Sequence, residues 1–542
     1  MNVDVSILGG GLAGPTLALQ LQKTCPELSI AVVERRKHPV PEAAHKVGES
    51  TVEIGAHYFE HVLGLGPHLK TEQIRKFGFR FFFSDGQEQL DQTLELGVRT
   101  AMPVPSYQID RGIFENFLAK EVQRQGMHFI DSALIKTIDL SSQHVVYSKD
   151  GEEHSLRSRW VIDASGRAGL LKRKLGLAKD NAHKANAVWF RVKGKINIDA
   201  WSDSPVWRGR CSPPERWRST NHLCGRGYWL WLIPLAGDAH SVGIVADAQT
   251  HPLVEMNSFD KAMNWIQKHQ PRLFAELDGR RDALMDFAFF KHFSYSCTKV
   301  WDAEARWALT GEAGLFLDPF YSPGSDFIAM SNTFICDLIQ RDMQDKQAQS
   351  VSLYGQIYER MYFSFYESTL TLYQDQYDLF GDPEVMPQKV LWDYTYYWGM
   401  LAPLYMHGKL TDLAFVSSLI KIFEQTKALN LAMQAFLRQW GGVSRKTSHA
   451  IMIDQKELPW FVALNRSLQS ELDATGLKQL FADNHLLLNR LARQMLRRAL
   501  SAYPMLDTAA VAEVMLPVDK EVDEYVDAGN DLIPPSIYPL MV

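Results

Sequence analysis

The chain has 542 residues, of which 46% are hydrophobic and 22% charged, with a formal net charge of −6 at pH 7. This length is enough for a large core, and the composition is typical of a globular protein. The acidic balance and the lack of a basic cluster argue against nucleic acid as a partner. Five scattered cysteines without a CxxC pair indicate reduced thiols rather than disulfides or a metal site. Without a signal peptide or a run of about 18 apolar residues, we expect a cytoplasmic protein with no membrane span.

The first motif is a glycine turn at residues 9–14, with the sequence GGGLAG. It follows an apolar, strand-like run and opens a helical pattern. In this arrangement, the diphosphate of a dinucleotide lies on backbone N–H groups at a helix N-terminus. Glu34 lies 20 residues after Gly14, at the end of a second predicted strand, where an acidic side chain binds a ribose hydroxyl. The sequence therefore predicts an adenine dinucleotide site rather than a purely structural turn.

The run FGFRFFF at residues 77–83 predicts a β-strand. Strict alternation places alternate residues on opposite faces, with Phe77, Phe79, Phe81 and Phe83 on one face and Lys76, Gly78, Arg80 and Phe82 on the other. Another strand is predicted near residue 160, ending in a tight turn at DASG.

The order of these patterns predicts two domains. Residues 1–345 form an α/β module, with a tryptophan-rich and β-rich substrate part at about 180–290. Residues 346–542 are mainly helical and close in an apolar, proline-containing tail from Ile533, which we expect to lie extended over the body.

Three further motifs follow the glycine turn: GEST at residues 48–51, Asp110–Arg111 with Phe114, and DASG at residues 163–166. In this order they resemble the flavoprotein family that includes para-hydroxybenzoate hydroxylase. The resemblance implies FAD, bound by a Rossmann-like domain, rather than NAD. A second glycine motif for a nicotinamide is missing, so we expect reduced flavin to arrive from a separate flavin reductase.

Two more motifs are similar to those of the flavin-dependent halogenases. The run WLWLIP at residues 229–234 matches their WxWxIP motif, and FLDPFYSPG at residues 316–324 matches FxxPxxSxG. The resemblance covers residues 1–345. It implies that reduced FAD, oxygen and a halide, chloride or bromide, produce hypohalous acid, and that a lysine relays the halogen to the substrate. It also implies that Trp229 and Trp231 separate flavin from substrate; the alternative is two tryptophans packed in a buried strand.

The same resemblance points to Lys76 as the relay. Family members place this lysine after the GE motif, with an aromatic residue five positions later, and Phe81 occupies that position here. A lysine suits the role because its ammonium can polarise hypohalous acid, or its free amine can be halogenated if burial lowers its pKa. The alternative is a solvated charge at the start of a strand. Lys46 is the rival lysine, but it lies where the family contacts the cofactor.

One position departs from the tryptophan halogenases. They carry a glutamate directly before the serine of FxxPxxSxG, and this chain has Tyr321; Pro323 replaces a small polar residue beside the halide. The motif is closer to the branch that acts on phenols, pyrroles or carrier-tethered substrates, so free tryptophan is not the expected substrate. Tyr321 could orient the reacting species, or its presence could mean that halogenation was lost.

The resemblance carries the site residues onto this chain. The catalytic set is Lys76, Trp229, Trp231 and Tyr321. The halide set is Ser322 and Gly324, and no metal ligand is predicted. The FAD set is Gly9, Gly11, Leu12, Ala13, Gly14, Glu34, Arg35, Lys46, Gly48, Glu49, Ser50, Arg111, Gly311, Glu312, Pro319 and Ser325.

Two patterns lie beyond the resemblance. Tyrosines recur every fourth residue at Tyr354, Tyr358, Tyr362 and Tyr366, followed by Tyr373 and Tyr377. Core packing is the expected role of these tyrosines, and lining an aromatic substrate pocket is the alternative. Residues 486–500 predict an amphipathic helix with Arg490, Arg493, Arg497 and Arg498. We expect it to be a packed helix with a solvated face; the alternative is docking of an acidic acyl carrier protein.

These features predict a two-component FAD-dependent oxidoreductase of secondary metabolism. The first expectation is a halogenase of a small aromatic or unsaturated substrate, free or carrier-tethered. The alternatives are a flavin monooxygenase that hydroxylates an aromatic or polyene substrate, and a non-catalytic flavoprotein partner in a biosynthetic complex.

Overall fold

A computed structural model describes residues 1–43, 46–84, 86, 89–344, 348–446, 448–517 and 531–534. The strands within these residues are, in chain order, β1 (Asn2–Leu8), β2 (Ile30–Val33), β3 (Ile74–Arg75), β4 (Phe79–Phe83), β5 (Leu94–Gly97), β6 (Tyr107–Gln108), β7 (His128–Ile130), β8 (Ala133–Asp139), β9 (His144–Lys149), β10 (Glu152–Asp163), β11 (Ala178–Asp180), β12 (Ala185–Lys193), β13 (Thr220–Gly225), β14 (Tyr228–Leu235), β15 (Ala239–Asp247), β16 (Leu284–Phe290), β17 (Tyr295–Cys297), β18 (Trp301–Asp302), β19 (Trp307–Leu309) and β20 (Met452–Asp454).

The α-helices of the described residues are α1 (Ala13–Thr24), α2 (Glu53–His57), α3 (Gly66–Glu72), α4 (Arg111–Arg124), α5 (Leu170–Lys174), α6 (Pro205–Arg210), α7 (Phe259–His269), α8 (Pro271–Asp278), α9 (Gly324–Met343), α10 (Ala348–Leu370), α11 (Met386–Tyr396), α12 (Ala402–Met406), α13 (Leu413–Ser418), α14 (Ile420–Val443), α15 (Pro459–Ser467), α16 (Ala474–Ala502) and α17 (Ala509–Val514).

The first sheet has a parallel centre. Its strands run in the order β18-β19-β10-β1-β2-β7, and β9 and β8 extend it as an antiparallel pair from β10. β1 is parallel to both β2 and β10, and α1 crosses between β1 and β2. Buried parallel strands of this kind carry near-continuous apolar runs, as β2 does with IAVV. The predicted α/β class with a Rossmann-like unit at the N-terminus is confirmed.

The second sheet combines distant parts of the chain. Its order is β16-β12-β15-β14-β13-β4-β5-β20, so strands from residues 185–290 are joined by two N-terminal strands and by one from the C-terminal region. Alternation along β14 places Trp229 and Trp231 on the face toward the main core. Leu230 and Leu232 lie on the opposite face, in a second core covered by α7 and α8.

The predicted face of Lys76 is wrong. β4 begins at Phe79, not at residue 77, and Gly78 has a φ of +74°, which breaks the alternation before the strand. The Lys76 ammonium consequently lies over the Phe79 ring. Arg80 points to the other side of the sheet, into a buried cluster with Glu95 and Arg216.

The C-terminal part is mainly helical, with the short strand β20. The tyrosine pattern on α10 serves core packing, since Tyr358, Tyr362 and Tyr366 are all buried. In the basic helix α16, arginine side chains bind the chain itself: Arg493 donates to the Leu516 carbonyl and Arg498 to the Ile533 carbonyl. Residues 535–542 of the predicted tail lie outside the described residues.

The five cysteines are all buried and unpaired, as expected, and are Cys25, Cys211, Cys224, Cys297 and Cys336. None of the helices in the described ranges combines the length and apolar character needed to cross a bilayer.

The Trp231 indole depends on a glycine in the neighbouring strand. Gly243 pairs with Trp231 across β14 and β15, and a Cβ at Gly243 would lie 2.2 Å from the indole ring. We expect Gly243→Ala to lower the free energy of unfolding by about 1–3 kcal/mol through overpacking, measured by urea denaturation. Gly209→Ala is the matched control because its Cβ meets no atom within 4 Å, and it should not destabilise. Equal stability of both variants would contradict the prediction.

Candidate active site

One cavity brings together most of the predicted cofactor and halide residues. It lies where the α1 N-terminus, the GEST segment, β14 and the α9 N-terminus meet. Its lining includes Leu12, Gly48, Glu49, Ser50, Arg111, Trp229, Trp231, Gly311, Glu312, Pro319, Ser322, Gly324 and Ser325. We call this the flavin cavity. Gly9, Gly11, Ala13, Gly14, Glu34, Arg35 and Lys46 are not part of its lining.

The glycine turn has the tight geometry that its sequence predicts. Gly9 has a φ of +128°, and a Cβ on Gly14 would lie 2.0 Å from the Gly9 carbonyl oxygen. A Cβ on Gly11 would meet only Glu115, at 4.0 Å, so the turn is open on that side. Ala13 begins α1, which leaves backbone N–H groups at the helix N-terminus free to bind an anion.

The Glu34 carboxylate lies beside this turn. Its Oε2 accepts a hydrogen bond from the Gly10 N–H at 2.6 Å, and its Oε1 accepts one from the Arg36 N–H at 2.7 Å. The predicted Arg35 is exposed. Its neighbour Arg36, which the sequence did not single out, contacts both Glu34 and Glu115.

A buried charge cluster around Glu115 lies beside the turn. Glu115 accepts from Arg111 at 2.6 Å and also pairs with the Lys46 ammonium. Arg36, Lys46 and Arg111 surround the Glu115 carboxylate, and burial together with the two arginine charges lowers the pKa of the Lys46 amine to about 6. A bound diphosphate would favour the charged form of Lys46 and would interact favourably with all three groups, so the residues present fit FAD. Glu115 was not predicted, because no motif marks it.

Glu49 of the GEST motif is buried and paired. Its carboxylate lies 2.6 Å from Arg191, which also binds Asp286 at 2.7 Å. Glu49 therefore anchors the GEST segment to β12, while its position in the lining leaves it within reach of a cofactor.

The two tryptophans close the far end of the flavin cavity. Their ring centroids are 5.7 Å apart, and both side chains are buried. Trp229 Nε1 donates to the Tyr377 hydroxyl at 3.2 Å, and Trp231 Nε1 donates to Ser241 Oγ at 3.0 Å. These hydrogen bonds hold the rings in place.

His222 also lines this end of the cavity and was not predicted. Its ring stacks on Phe81 at 4.7 Å and lies 5.1 Å from the Trp229 ring. Burial, together with the charge of Lys76, lowers the pKa of His222 to about 3, so the ring is neutral. No pattern in the sequence separates this histidine from an ordinary core residue.

Lys76 is buried, and the alternative of a solvated charge is wrong. Its ammonium donates to Ser50 Oγ at 2.9 Å and to the Thr51 carbonyl at 3.1 Å. It lies 3.4 Å from the centroid of the Phe79 ring, at cation–π distance. Ser50 lines the flavin cavity, so the Lys76 amine is hydrogen-bonded to a residue of that cavity wall.

Two buried carboxyl groups act on the Lys76 amine. Burial lowers the pKa of Lys76 to about 7, and the charges of Glu53 and Asp326 oppose this shift. Burial raises the pKa of Asp326 to about 8, although its carboxyl accepts from the Tyr397 hydroxyl and the Gly55 N–H. Neither carboxyl group was predicted: Glu53 precedes Lys76 by 23 residues and Asp326 follows it by 250, and no motif pairs either with the lysine.

Tyr321 lies in a second cavity, which we call the tyrosine cavity. Its lining includes Phe79, Tyr321, Pro323, Asp326, Tyr373, Asp393, Tyr394 and Tyr397. The Tyr321 hydroxyl donates to Asp393 Oδ2 at 2.8 Å, and Lys389 donates to the same oxygen at 2.7 Å. Burial raises the pKa of Tyr321, so the phenol stays neutral. Phe79 contacts both Tyr321 and Lys76.

The predicted halide residues lie at the start of α9. Ser322 has a φ of +51°, and the helix begins at Gly324. The first N–H groups of a helix have no acceptor within it, so those of Gly324 and Ser325 are suited to an anion.

Comparison with protein families identifies the chain. The tryptophan halogenase family matches residues 87–377, more than half of the 542 residues. The chain belongs to this family. A NAD(P)-binding Rossmann-like domain also matches residues 7–71, which contain the glycine turn and Glu34.

Curated relatives of this family member are halogenases. It is 26% identical over 438 residues to the flavin-dependent halogenase chlA of Dictyostelium discoideum, covering 75% of this chain and 71% of the relative. It is 26% identical over 356 residues to a 1H-pyrrole-2-carbonyl-[peptidyl-carrier protein] brominase of Pseudoalteromonas luteoviolacea, covering 63% and 78%. It is 25% identical over 369 residues to the tetracycline 7-halogenase of Kitasatospora aureofaciens, covering 62% of each chain.

Solved structures share the fold. Halogenase PltM aligns with a TM-score of 0.64 at 16% identity, over 91% of this chain and 96% of that one. The flavin-dependent halogenase CmlS aligns with a TM-score of 0.57 at 20% identity, over 93% and 79%. The family match and the curated relatives support an oxidoreductase with flavin-dependent halogenase function and a bound FAD.

The glycine turn offers a direct test of the FAD site. We expect Gly11→Val to weaken FAD binding roughly 10- to 100-fold, because its side chain enters the space for the diphosphate and blocks charge-assisted hydrogen bonds. The thermal midpoint of the flavin-free protein should not change, since that side of Gly11 is open. Gly14→Val is the contrast: its Cβ meets the Gly9 carbonyl, so the flavin-free fold itself should be destabilised. Unchanged flavin affinity in Gly11→Val, measured by fluorescence titration, would count against this site.

Proposed function

We propose that this chain is an FAD-dependent halogenase in which Lys76 relays halogen from hypohalous acid to an aromatic or unsaturated substrate. The observation that carries the proposal is the position of the Lys76 amine. It bonds to Ser50 on the flavin side and rests on Phe79, which lines the tyrosine cavity, on the other. A halogen species held at this amine lies between the two cavities.

The glycine turn, Arg111 and the GEST segment would hold FAD in the flavin cavity. Reduced FAD, when bound, supplies hypohalous acid from oxygen and a halide. We propose that Ser322 and the N–H groups at Gly324 and Ser325 hold that halide, chloride or bromide, because a helix N-terminus favours an anion.

Trp229 and Trp231 are proposed as the barrier between flavin and substrate. Their rings and that of His222 fill the end of the flavin cavity with tightly packed aromatic groups. A substrate on the far side would be kept from the flavin, while a small molecule such as hypohalous acid can reach Ser50 and Lys76. This arrangement favours halogenation over direct oxygen transfer.

We propose a small aromatic substrate, free or tethered to a carrier protein. Two curated relatives are named for pyrrole substrates on a peptidyl carrier protein and one for tetracycline. The aromatic lining of the tyrosine cavity suits a planar ring. An acyl carrier protein on α16 gains no support from Arg493 and Arg498, whose side chains bind carbonyls of this chain.

A product assay tests the reaction class. The protein is supplied with reduced FAD, oxygen and bromide and a panel of small phenols, and the products are analysed by mass spectrometry. Brominated products support the proposal, and oxygenated products indicate the monooxygenase alternative. Neither product, despite bound FAD, indicates a non-catalytic flavoprotein.

The source of electrons is a separate prediction. Because the sequence has a single dinucleotide motif, we expect NADH alone to support little turnover and an added flavin reductase to restore it. The measurement is NADH consumption and halogenated product with and without the reductase. Rapid reduction of the bound flavin by NADH without a second protein would contradict a two-component system.

Lys76→Met tests the relay. We expect halogenated product to fall by at least about 10²–10⁴, the usual loss when one positioned proton-donating group is removed. FAD binding and oxygen consumption by reduced flavin should stay close to those of the parent. Because removing one member of a buried charged group can destabilise the fold, the thermal midpoint of Lys76→Met is measured and both proteins are assayed well below it. Product within about tenfold of the parent would exclude Lys76 as the relay.

A further inference from the structure

A third, small cavity opens directly beside the Lys76 amine. Its lining includes Glu53, Lys76, Phe79, Tyr394, Trp398 and Gln455. Phe79 and Tyr394 also line the tyrosine cavity, so the two spaces are neighbours. We call this the relay cavity. Its aromatic residues are suited to the edge of a planar ring, and its polar residues come from three separate segments.

Three polar atoms of the relay cavity are buried without a hydrogen-bond partner in the described part of the chain: Glu53 Oε2, Gln455 Nε2 and Trp398 Nε1. The first is an acceptor, and the other two are donors. Buried polar groups are nearly always hydrogen-bonded, because an unmade bond costs about 1–3 kcal/mol. A ligand that offers both a donor and an acceptor would satisfy them.

The Glu53 carboxyl and the Lys76 amine line the same cavity. No salt bridge joins the two among the described residues, so the amine and the carboxyl face the same cavity without closing it. Burial raises the pKa of Glu53, while Trp398 and the charge of Lys76 oppose the shift. Asp326, the other carboxyl near Lys76, differs because its oxygens bind the Tyr397 hydroxyl and the Gly55 N–H.

We propose that the relay cavity binds the hydroxyl-bearing edge of a phenolic substrate. The phenol O–H donates to Glu53 Oε2, and an oxygen substituent beside it accepts from Gln455 Nε2. This inference rests on the proposed function, which supplies hypohalous acid at Lys76, and it adds the substrate class and the residues that recognise it.

Glu53 also becomes a proton acceptor for the reaction. As the ring carbon forms the carbon–halogen bond, the O–X bond of hypohalous acid breaks and the phenol proton passes to Glu53. The departing hydroxide takes a proton from the Lys76 ammonium and leaves as water. The resulting dienone loses its ring proton to the Lys76 amine and regains the hydroxyl proton from Glu53. Phenol and hypohalous acid thus give halophenol and water, with both side chains restored.

Binding of matched ligands tests the site independently of catalysis. Resorcinol and 1,3-dimethoxybenzene have the same ring and oxygens, but only resorcinol has O–H donors. We expect the FAD-loaded protein to bind resorcinol, and Glu53→Gln to weaken this binding roughly 10- to 100-fold, the value of a hydrogen bond to a charged group. Binding of the dimethyl ether, measured by calorimetry, should be equal in both proteins.

Steady-state kinetics distinguish two roles of Glu53: recognition of the phenol hydroxyl, and an indirect effect on catalysis through Lys76. In the parent, kcat/KM for resorcinol should exceed that for the ether, and Glu53→Gln should reduce this ratio at least tenfold. Asp326→Asn is the matched control, since it removes a carboxyl near Lys76 that is already hydrogen-bonded. It should change both substrates by the same factor. If Glu53→Gln also changes both equally, Glu53 acts only on the lysine and the proposal is wrong.

Gln455→Leu gives a second reading if Glu53→Gln folds poorly. It should weaken binding of 2,4-dihydroxyacetophenone, which has a carbonyl beside a hydroxyl, more than binding of resorcinol. Equal losses would overturn the assignment of Gln455.

Equal affinity of the parent for resorcinol and its ether would overturn the phenol site even if halogenation is observed. Conversely, selective phenol binding without halogenated product would retain the site and refute the halogenase proposal.

Discussion

The Lys76 amine is enclosed by protein, and removing a cation from water costs several kcal/mol unless the surroundings replace its hydration. Here the replacement is a serine hydroxyl, one backbone carbonyl and the face of a phenylalanine ring. The carboxyl groups of Glu53 and Asp326 add an electrostatic contribution. These partners do not fully replace the hydration that the ammonium loses on burial, and the pKa of Lys76 falls to about 7. An amine with a pKa near 7 exchanges its proton near neutral pH, which suits the relay proposed for Lys76.

The three cavities are arranged around this amine. The flavin cavity reaches it through Ser50, the relay cavity contains it, and the tyrosine cavity adjoins it across Phe79 and Tyr394. The aromatic rings of Trp229, His222 and Phe81 pack between the flavin side and the lysine side. We infer that this packing restricts which molecules can pass from the flavin side to the lysine side. A small neutral molecule needs only a narrow path, whereas a substrate ring needs a wide one. The side chains that would select the substrate are therefore separate from those that would bind the flavin.

The parts of this structure that the sequence predicted are local ones. The glycine turn, β2 ending directly before Glu34, and the WLWLIP strand each depend on residues within one segment, and each lies where its motif indicates. The face of Lys76 was mispredicted because a single positive φ at Gly78 breaks a period of two. The relay cavity was not predictable, since Glu53 and Gln455 are brought together by the packing of segments about 400 residues apart. Likewise, β20 joins the second sheet although no motif links residues 452–454 to β5.

Tyr321 is the residue whose identity most called halogenation into question, because the tryptophan halogenases carry a glutamate at that position. The Tyr321 hydroxyl donates to Asp393, and the Lys389 ammonium donates to the same carboxylate oxygen. The carboxyl groups near Lys76 come instead from α2 and from the first turn of α9, through Glu53 and Asp326. A tyrosine at this position therefore does not deprive the lysine of acidic neighbours. We infer that it changes the shape and polarity of the substrate side, where a neutral phenol among aromatic rings replaces a charge. Such a lining favours a neutral, electron-rich ring over an amino acid that carries its own ammonium and carboxylate, because each of those charges would need a buried partner.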